Sequence, residues 1–251
     1  MNRSTRTLIY PYGYSNSALS LCDALGARLI RREGSKYQYR EGDTVINWGA
    51  YGRPAVLANV PVVNPFEAVR IASSKLSTFR RLNEANVPTL EWTQDGNVAQ
   101  GWLGSTKVVA RDVDRGSQGE GTHVYKVEER LENPHVFYTR YFRKQREFRI
   151  HVVRGLVIFE QEKLRKKDTD DVDKYIRSHG RGWCFAFKHL GTNPIPKECK
   201  DVAIAAVRSL GLDFGAVDLG YHSRNGIAVF EVNTAPGIEE TSLKTYVEAF
   251  K

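Results

Sequence analysis

Gly215-Ala216-Val217-Asp218-Leu219 is followed by Phe230-Glu231-Val232-Asn233-Thr234-Ala235-Pro236-Gly237, with Asp218 and Glu231 thirteen positions apart. Each segment is an apolar run carrying oxygen-bearing side chains, which predicts the two strands of a hairpin. Side chains at i and i+2 of a strand share a face, so Glu231 and Asn233 point the same way, and a hairpin sets Asp218 opposite them. Hard oxygen donors gathered on one face suit Mg2+, which binds a few carboxylates and completes its shell with water and substrate phosphates. The second run ends in Asn-Thr-Ala-Pro-Gly, a turn that carries Asn233 at a fixed place.

Outward from this hairpin the chain alternates strands and helices. Downstream, Ser242 to Phe250 predicts a last helix; upstream, Asp201 to Leu210 predicts an amphipathic helix closed by Gly211. Strands are expected at Val136 to Phe142, at Glu147 to Val153 with alternating Phe148, Ile150 and Val152, and at Leu156 to Glu160. The polar segment Arg165 to Gly182 has few apolar residues and is expected as a mobile loop or exposed helix. Thr106 to Arg111 and Thr122 to Tyr125 predict a hairpin whose tip, residues 112–121, is rich in glycine. A helical tract opens at Pro65-Phe66-Glu67-Ala68 and continues through Ser73 and Ser74 to Asn86, where Val87-Pro88 stops it. The first 65 residues read as short strands with one helix, from a cap at Ser15 or Asn16 to Gly26, the pattern of a small βα sheet.

Composition narrows the class. At 251 residues, with 41% hydrophobic and 26% charged side chains, the chain can bury a core and falls outside disordered or fibrous compositions. No apolar run approaches the roughly 18–20 residues that span a bilayer, so a cytoplasmic protein with no membrane partner is expected. Cys22, Cys184 and Cys199 form no C-x-x-C pair and lack a histidine at zinc-finger spacing, which argues against structural zinc and a disulfide framework. A net charge of +8 favours an anionic partner. Ten basic residues stand against three acidic ones between Arg140 and Lys167; the stretch reads either as a site for an acidic substrate or as a solvated basic face. No nucleic-acid-binding motif accompanies the charge, so nucleic acid is not expected as a partner. No Ser-His-Asp or Cys-His constellation stands out, and no protein nucleophile is expected.

The Val-Asp strand followed by Glu-Val-Asn-x-x-Pro-Gly resembles the ATP-grasp superfamily of carboxylate–amine ligases, over about residues 66 to 240. The resemblance implies an α/β fold: a small N-terminal α/β domain over residues 1–65, then an ATP-grasp domain over 66–251 built of two α+β subdomains with a glycine-rich lid at 112–121. It implies ATP and Mg2+ as cofactors, with Asp218, Glu231 and Asn233 holding two magnesium ions. Lys75, in Ser74-Lys75-Leu76-Ser77-Thr78-Phe79-Arg80-Arg81-Leu82, matches the family's phosphate-contacting lysine. Arg111 stands where a second family lysine ends a strand; it keeps the charge and changes the geometry. Gly116, Gly119 and Gly121 fall in the lid, whose backbone N–H groups close over phosphates. Tyr141 and Phe142 match the hinge that holds adenine, and Glu147 matches an acid that binds ribose. Arg149-Ile150-His151-Val152 is similar to a strand of RimK-type glutamate ligases, which makes Arg149, Lys163 and Arg165 candidates for stabilising the reacting carboxyl and phosphoryl oxygens.

The implied reaction is an ATP-dependent C–N bond formation through an acylphosphate, between a carboxylate and an amine substrate, with an acidic peptide or protein tail as one possible partner. Either Tyr14-Ser15-Asn16-Ser17 or Trp48 to Gly52 could recognise a carboxylate through N–H groups and a helix N-terminus. The D-alanine–D-alanine ligases carry an arginine two residues before the aspartate; this chain has Ala216 there, which argues against cell-wall dipeptides as product. An inositol-phosphate-type kinase, using the same ATP clamp and a polyphosphate site in the basic stretch, is the competing expectation, followed by a catalytically silent nucleotide-binding module.

Overall fold

Three sheets organise the chain in the computed structural model, which describes residues 6–116, 119–167 and 172–251. Positions 117 and 118 of the expected lid, 168–171 of the polar segment, and the first five residues lie outside the described residues. The first sheet is parallel, in the order β2-β1-β3-β4, from β1 (Thr7–Pro11), β2 (Arg28–Leu29), β3 (Thr44–Trp48) and β4 (Val62–Val63). Helix α1 (Asn16–Leu25) starts where the Ser15 hydroxyl accepts the Ala18 N–H, and stops at Gly26 in the left-handed conformation.

The expected single tract from 65 to 86 is two helices, α2 (Phe66–Ala72) and α3 (Lys75–Glu84). Ser74 leaves helical geometry and its hydroxyl accepts the Ser77 N–H, so it caps a new helix. The break sets Lys75 on the first turn of α3. Two elements that carried little periodicity follow: β5 (Trp92–Thr93) and α4 (Gly96–Trp102), the latter capped by Asp95. Strand β5 joins β6 (Val108–Arg111), β7 (Thr122–Tyr125) and β8 (Phe137–Arg140) in an antiparallel sheet ordered β5-β8-β6-β7.

The third sheet is also antiparallel, ordered β11-β10-β9-β12-β13. It comprises β9 (Arg146–Val153), β10 (Leu156–Arg165), β11 (Trp183–Ala186), β12 (Phe214–His222) and β13 (Gly226–Asn233). Strand β10 runs five residues beyond the expected end at Glu160, and Leu164 pairs with Cys184 of β11. Helix α5 (Lys197–Ser209) buries Cys199, Ala203, Ala206 and Val207 against Ile150, Val152, Val217 and Val229, and this packing forms the largest apolar core. Helix α6 (Glu240–Phe250) turns back to the first sheet: Tyr246 and Phe250 pack with Trp48, Phe214 and Ile9.

Buried asparagines join the first sheet to the third. Asn64, at φ 64°, accepts the N–H groups of Asp213 and Phe214 at 2.8 and 3.0 Å and donates to the Phe214 carbonyl at 2.9 Å. Asn47 donates to the carbonyls of Asn64 and Ala50 at 3.0 and 2.8 Å. Buried amides left unpaired cost about 1–3 kcal/mol each, so this mutual satisfaction fixes where β12 enters its sheet, four residues before Asp218.

Candidate active site

Register brings the central residues together. On the face of β12, Asp218 stands opposite Glu231 of β13 on one side and Arg149 of β9 on the other. Arg149 grips both Asp218 oxygens, Nε to Oδ1 and Nη2 to Oδ2, at 2.7 Å each. Burial pushes the Asp218 carboxyl up, with Arg149 pulling it down. Glu231 accepts from Lys75 Nζ at 3.1 Å and from the Asn233 amide at 3.2 Å. Burial raises the Glu231 carboxyl, but Lys75 and Arg149 outweigh it and hold the group at about 2. The sequence expectation that Asp218, Glu231 and Asn233 share one place is what the hairpin register produces, helped by a bulge after Asp218.

The turn after Asn233 is backed by the first sheet. Gly49 has φ +80°, and a Cβ there would lie 2.6 Å from the Cβ of Ala235. Glycine is required on both counts, and the close approach locks the Asn233 turn against the end of β3.

Lys75, Arg149, Asp218 and Glu231 line a cleft of about 390 Å3 between the second and third sheets, and Asn233 reaches it through its hydrogen bond to Glu231. One end is apolar, with Phe79, Leu90, Val109, Phe137, Phe142 and Phe230. The other is charged: Lys75, Arg111, Lys144, Arg149, Lys163 and Arg177 surround Glu147, Asp218 and Glu231. Arg111, half-buried at the end of β6, donates to the Thr122 hydroxyl at 2.7 Å. Tyr141 and Phe142 line the apolar end; the Tyr141 N–H donates to the Lys107 carbonyl at 2.9 Å. Its donor is therefore already used inside the protein.

Glu147 is held more tightly than its sequence position suggested. Lys163 Nζ lies 2.6 Å from Oε1, Lys144 Nζ lies 3.2 Å from Oε2, and Arg177 Nε is 3.9 Å from the same oxygen. A ribose hydroxyl at Glu147 must share the carboxylate with these cations. Burial pushes the Lys144 ammonium down, opposed by Glu147, and it lies 5.0 Å from the centroid of the Phe230 ring.

The segment expected as a mobile loop or exposed helix is, where it is described beyond β10, irregular chain with a single 3-10 turn at His179–Arg181, and it is folded onto the site. Tyr175, Ile176, Arg177, Ser178 and His179 line the cleft. Asp173 anchors them by accepting the N–H groups of Tyr175 and Ile176 at 2.8 and 2.9 Å, and its carbonyl accepts from the Trp183 indole. Lys144, Tyr175 and Arg177 are therefore cleft residues that sequence reading did not assign; the signal for Tyr175 and Arg177 was the cluster of Tyr175, Ile176 and Trp183 beside polar chain, and that for Lys144 was its place in the basic stretch. Arg165, two positions beyond Lys163, is exposed and is not among the described residues lining the cleft.

The basic stretch is also resolved by its partners. Arg140 pairs with Glu91, Lys144 and Lys163 with Glu147, Arg146 with Glu162, and Arg149 with Asp218. At least five of the ten cations are thus paired with carboxylates of the fold, and the stretch is not a uniform basic face.

The glycine loop folds over the cleft. Gly116 and Gly119 line it, and Lys75 Nζ lies 3.4 Å from the Gly116 carbonyl. Asp114 accepts the Leu76 N–H at 2.9 Å, which ties the loop to the start of α3. Gly119, at φ +84°, abuts Ile176 so closely that a Cβ would lie 3.0 Å from it. Gly121 stands at the exit, its carbonyl accepting the Asp112 N–H at 2.9 Å.

Two antiparallel sheets flanking a nucleotide-sized cleft, with a glycine loop over it and a carboxylate-bearing hairpin at its charged end, define the ATP-grasp fold. Among solved structures, the chain is similar to the ATP-grasp ligase PsnB complexed with minimal precursor, Mg and ADP: TM-score 0.68 at 14% identity, covering 100% of this chain and 99% of that one. It is similar to D-alanine–D-alanine ligase from Bacillus anthracis complexed with ATP, at TM-score 0.64 and 14% identity over 99% and 93% of the two chains. It also resembles macrocyclase MdnC from Microcystis aeruginosa MRC, bound with precursor peptide MdnA, at TM-score 0.63 and 13% identity over 98% of each chain. No protein-family model and no curated protein matches the sequence. Among the described residues, no helix is long and apolar enough to cross a membrane.

Proposed function

We propose that the chain is an ATP- and Mg2+-dependent ligase that joins a carboxylate to an amine through an acylphosphate. The observation that carries this reading is the cross-strand row Arg149-Asp218-Glu231 facing a cleft with an apolar end for a base and a cationic end for phosphates. Asp218, Glu231 and Asn233 offer oxygen donors alone, which fits magnesium, and they would hold two ions. Bound there, magnesium neutralises charge on the transferring phosphoryl group. The protein residues then position and stabilise. Phe142 and Phe230, in edge contact with ring centroids 6.2 Å apart, offer the base an apolar wall, and the backbone at Tyr141 and Phe142, other than the occupied Tyr141 N–H, pairs with its edge. Lys75, Arg111 and the amides of Gly116, Gly119 and Gly121 hold the phosphates. Arg149, Lys163 and Arg177 face the reacting oxygens, and Glu147 keeps the last two in place while reaching the ribose. The division near residue 65 separates this clamp from a substrate-facing unit.

A peptide supplying the carboxylate or the amine fits the open side of the cleft. Tyr12, Tyr14 and Tyr51 are exposed, at 49%, 82% and 53%, on the segments that follow β1 and β3, the two central strands of the first sheet. Arg115 of the glycine loop lies over the Tyr51 ring at 5.1 Å. The precursor peptides bound by PsnB and MdnC support the same class of substrate.

The deciding experiment follows an oxygen atom. When the amine attacks an acylphosphate, the activated carboxylate oxygen leaves with phosphate, whereas a kinase leaves the phosphoryl group on its acceptor hydroxyl. A substrate carboxylate labelled with heavy oxygen is expected to deliver one labelled atom to inorganic phosphate. Unlabelled phosphate, or a stable phosphorylated alcohol, would replace the ligase with the kinase.

Closure of the glycine loop is separately testable. Hydrogen exchange at Gly116 and at Gly119 to Gly121 is expected to slow on adding Mg-ADP, because these amides gain phosphate acceptors. Unchanged exchange there, alongside measurable nucleotide binding, removes the lid role.

A further inference from the structure

Outside the cleft, three chain segments bring two imidazoles and a carboxylate to one point. Asp112 follows β6, His123 lies on β7, and His135 precedes β8. Asp112 Oδ2 lies 2.7 Å from His123 Nε2, and its Oδ1 lies 2.5 Å from His135 Nδ1. The three donor atoms fall within 4.8 Å of one another.

The surroundings of His135 set this cluster apart from a chance surface contact. Its side chain is only 4% exposed, whereas Asp112 and His123 are about half exposed. Its second nitrogen, Nε2, lies 2.9 Å from the Tyr125 hydroxyl. The rings of Tyr125 and Tyr138 pack edge-on at 5.7 and 5.6 Å. Nδ1 is therefore aimed at Asp112 by a fixed ring whose outer nitrogen has its own partner, the arrangement that orients ligating histidines in metal sites. The exposed side, formed by Asp112 and His123, gives an ion its entry path.

We infer that Asp112, His123 and His135 form a binding site for a transition-metal dication of the zinc class, distinct from the oxygen-only magnesium ligands of the cleft. Imidazole nitrogens select zinc and its neighbours over magnesium. Zinc–nitrogen and zinc–oxygen bonds of about 2.0–2.2 Å require the side chains to part only slightly to admit the ion between them, with water as the fourth ligand. Such an ion ties together the ends of β6, β7 and β8 at the foot of the glycine loop, where the Asp112 N–H already holds the Gly121 carbonyl.

The test uses the full chain stripped with chelator and titrated with Co2+ in excess Mg2+, which saturates the oxygen-only site. One equivalent is expected to bind, with the visible absorption of tetrahedral cobalt, and Zn2+ is expected to displace it. The absorption should vanish in His123→Ala, a half-exposed position that the fold tolerates. It should persist at full stoichiometry in Glu231→Gln. Tyr125→Phe should weaken binding by about ten- to a hundredfold, as loss of an outer partner does. Absence of the cobalt spectrum in the wild-type chain, or its survival in His123→Ala, overturns the site.

Discussion

Replacing Glu231 by Gln is expected to lower ADP release at saturating Mg-ATP by roughly a hundred- to a thousandfold, the loss that follows when one preorganised charge is removed from a phosphoryl-transfer site. The carboxyl sits at about 2, so it is ionised at any working pH and the substitution deletes a full charge. Folding should change little. The Glu231 side chain is 37% exposed, and its contact with Lys75 is a partly solvated pair worth on the order of 1 kcal/mol. Glutamine keeps the shape and an acceptor for Lys75. Thermal unfolding read beside turnover separates the two effects: a normal melting curve with activity lost supports the metal assignment. Wild-type ADP release from a folded variant would falsify it.

The hairpin could be read directly because strand geometry is regular. Once Val217 and Val232 are buried, a period of two dictates where Asp218, Glu231 and Asn233 point, and the register follows from the hairpin. Lys75 could be read as a position but not as a geometry. Two serines inside a helical pattern do not reveal whether the helix bends or restarts, and here the Ser74 hydroxyl captures the Ser77 N–H and restarts it. The remainder was illegible for a common reason. Arg177, Tyr175 and Lys144 sit on segments with no periodicity, and their place depends on Asp173, Glu147 and Phe230, which lie elsewhere in sequence. The basic stretch could not be apportioned for the same reason: net charge counts residues, while pairing with Glu91, Glu147, Glu162 and Asp218 is a property of the fold. The return of α6 to the first sheet is likewise a long-range packing choice, made by Tyr246 and Phe250 against Trp48 and Phe214.

Arg149→Ala is expected to be the most damaging single change to the site, and its signature differs from that of Glu231→Gln. Arg149 is 18% exposed, engages both Asp218 oxygens, and lies 4.2 Å from the centroid of the Phe185 ring. Removing it strands a buried carboxylate, and breaking a buried pair from one side costs about 3–5 kcal/mol. The variant should unfold at a distinctly lower temperature and lose turnover. Asp218 is also a proposed magnesium ligand, and the fork covers both of its oxygens, so an ion there has to share the carboxylate with Arg149. Magnesium with ADP should therefore stabilise Arg149→Ala by more than it stabilises the wild type, because the ion supplies the charge that the fork had provided. Arg149→Lys separates charge from shape. An ammonium restores the counter-charge but cannot grip two oxygens at once, so stability should largely return while phosphoryl transfer stays depressed. Equal stabilisation of Arg149→Ala and wild type by Mg-ADP would show that metal and arginine do not meet at Asp218. Full turnover in Arg149→Lys would reduce Arg149 to a counter-ion and move the stabilisation of the reacting oxygens to Lys163 and Arg177.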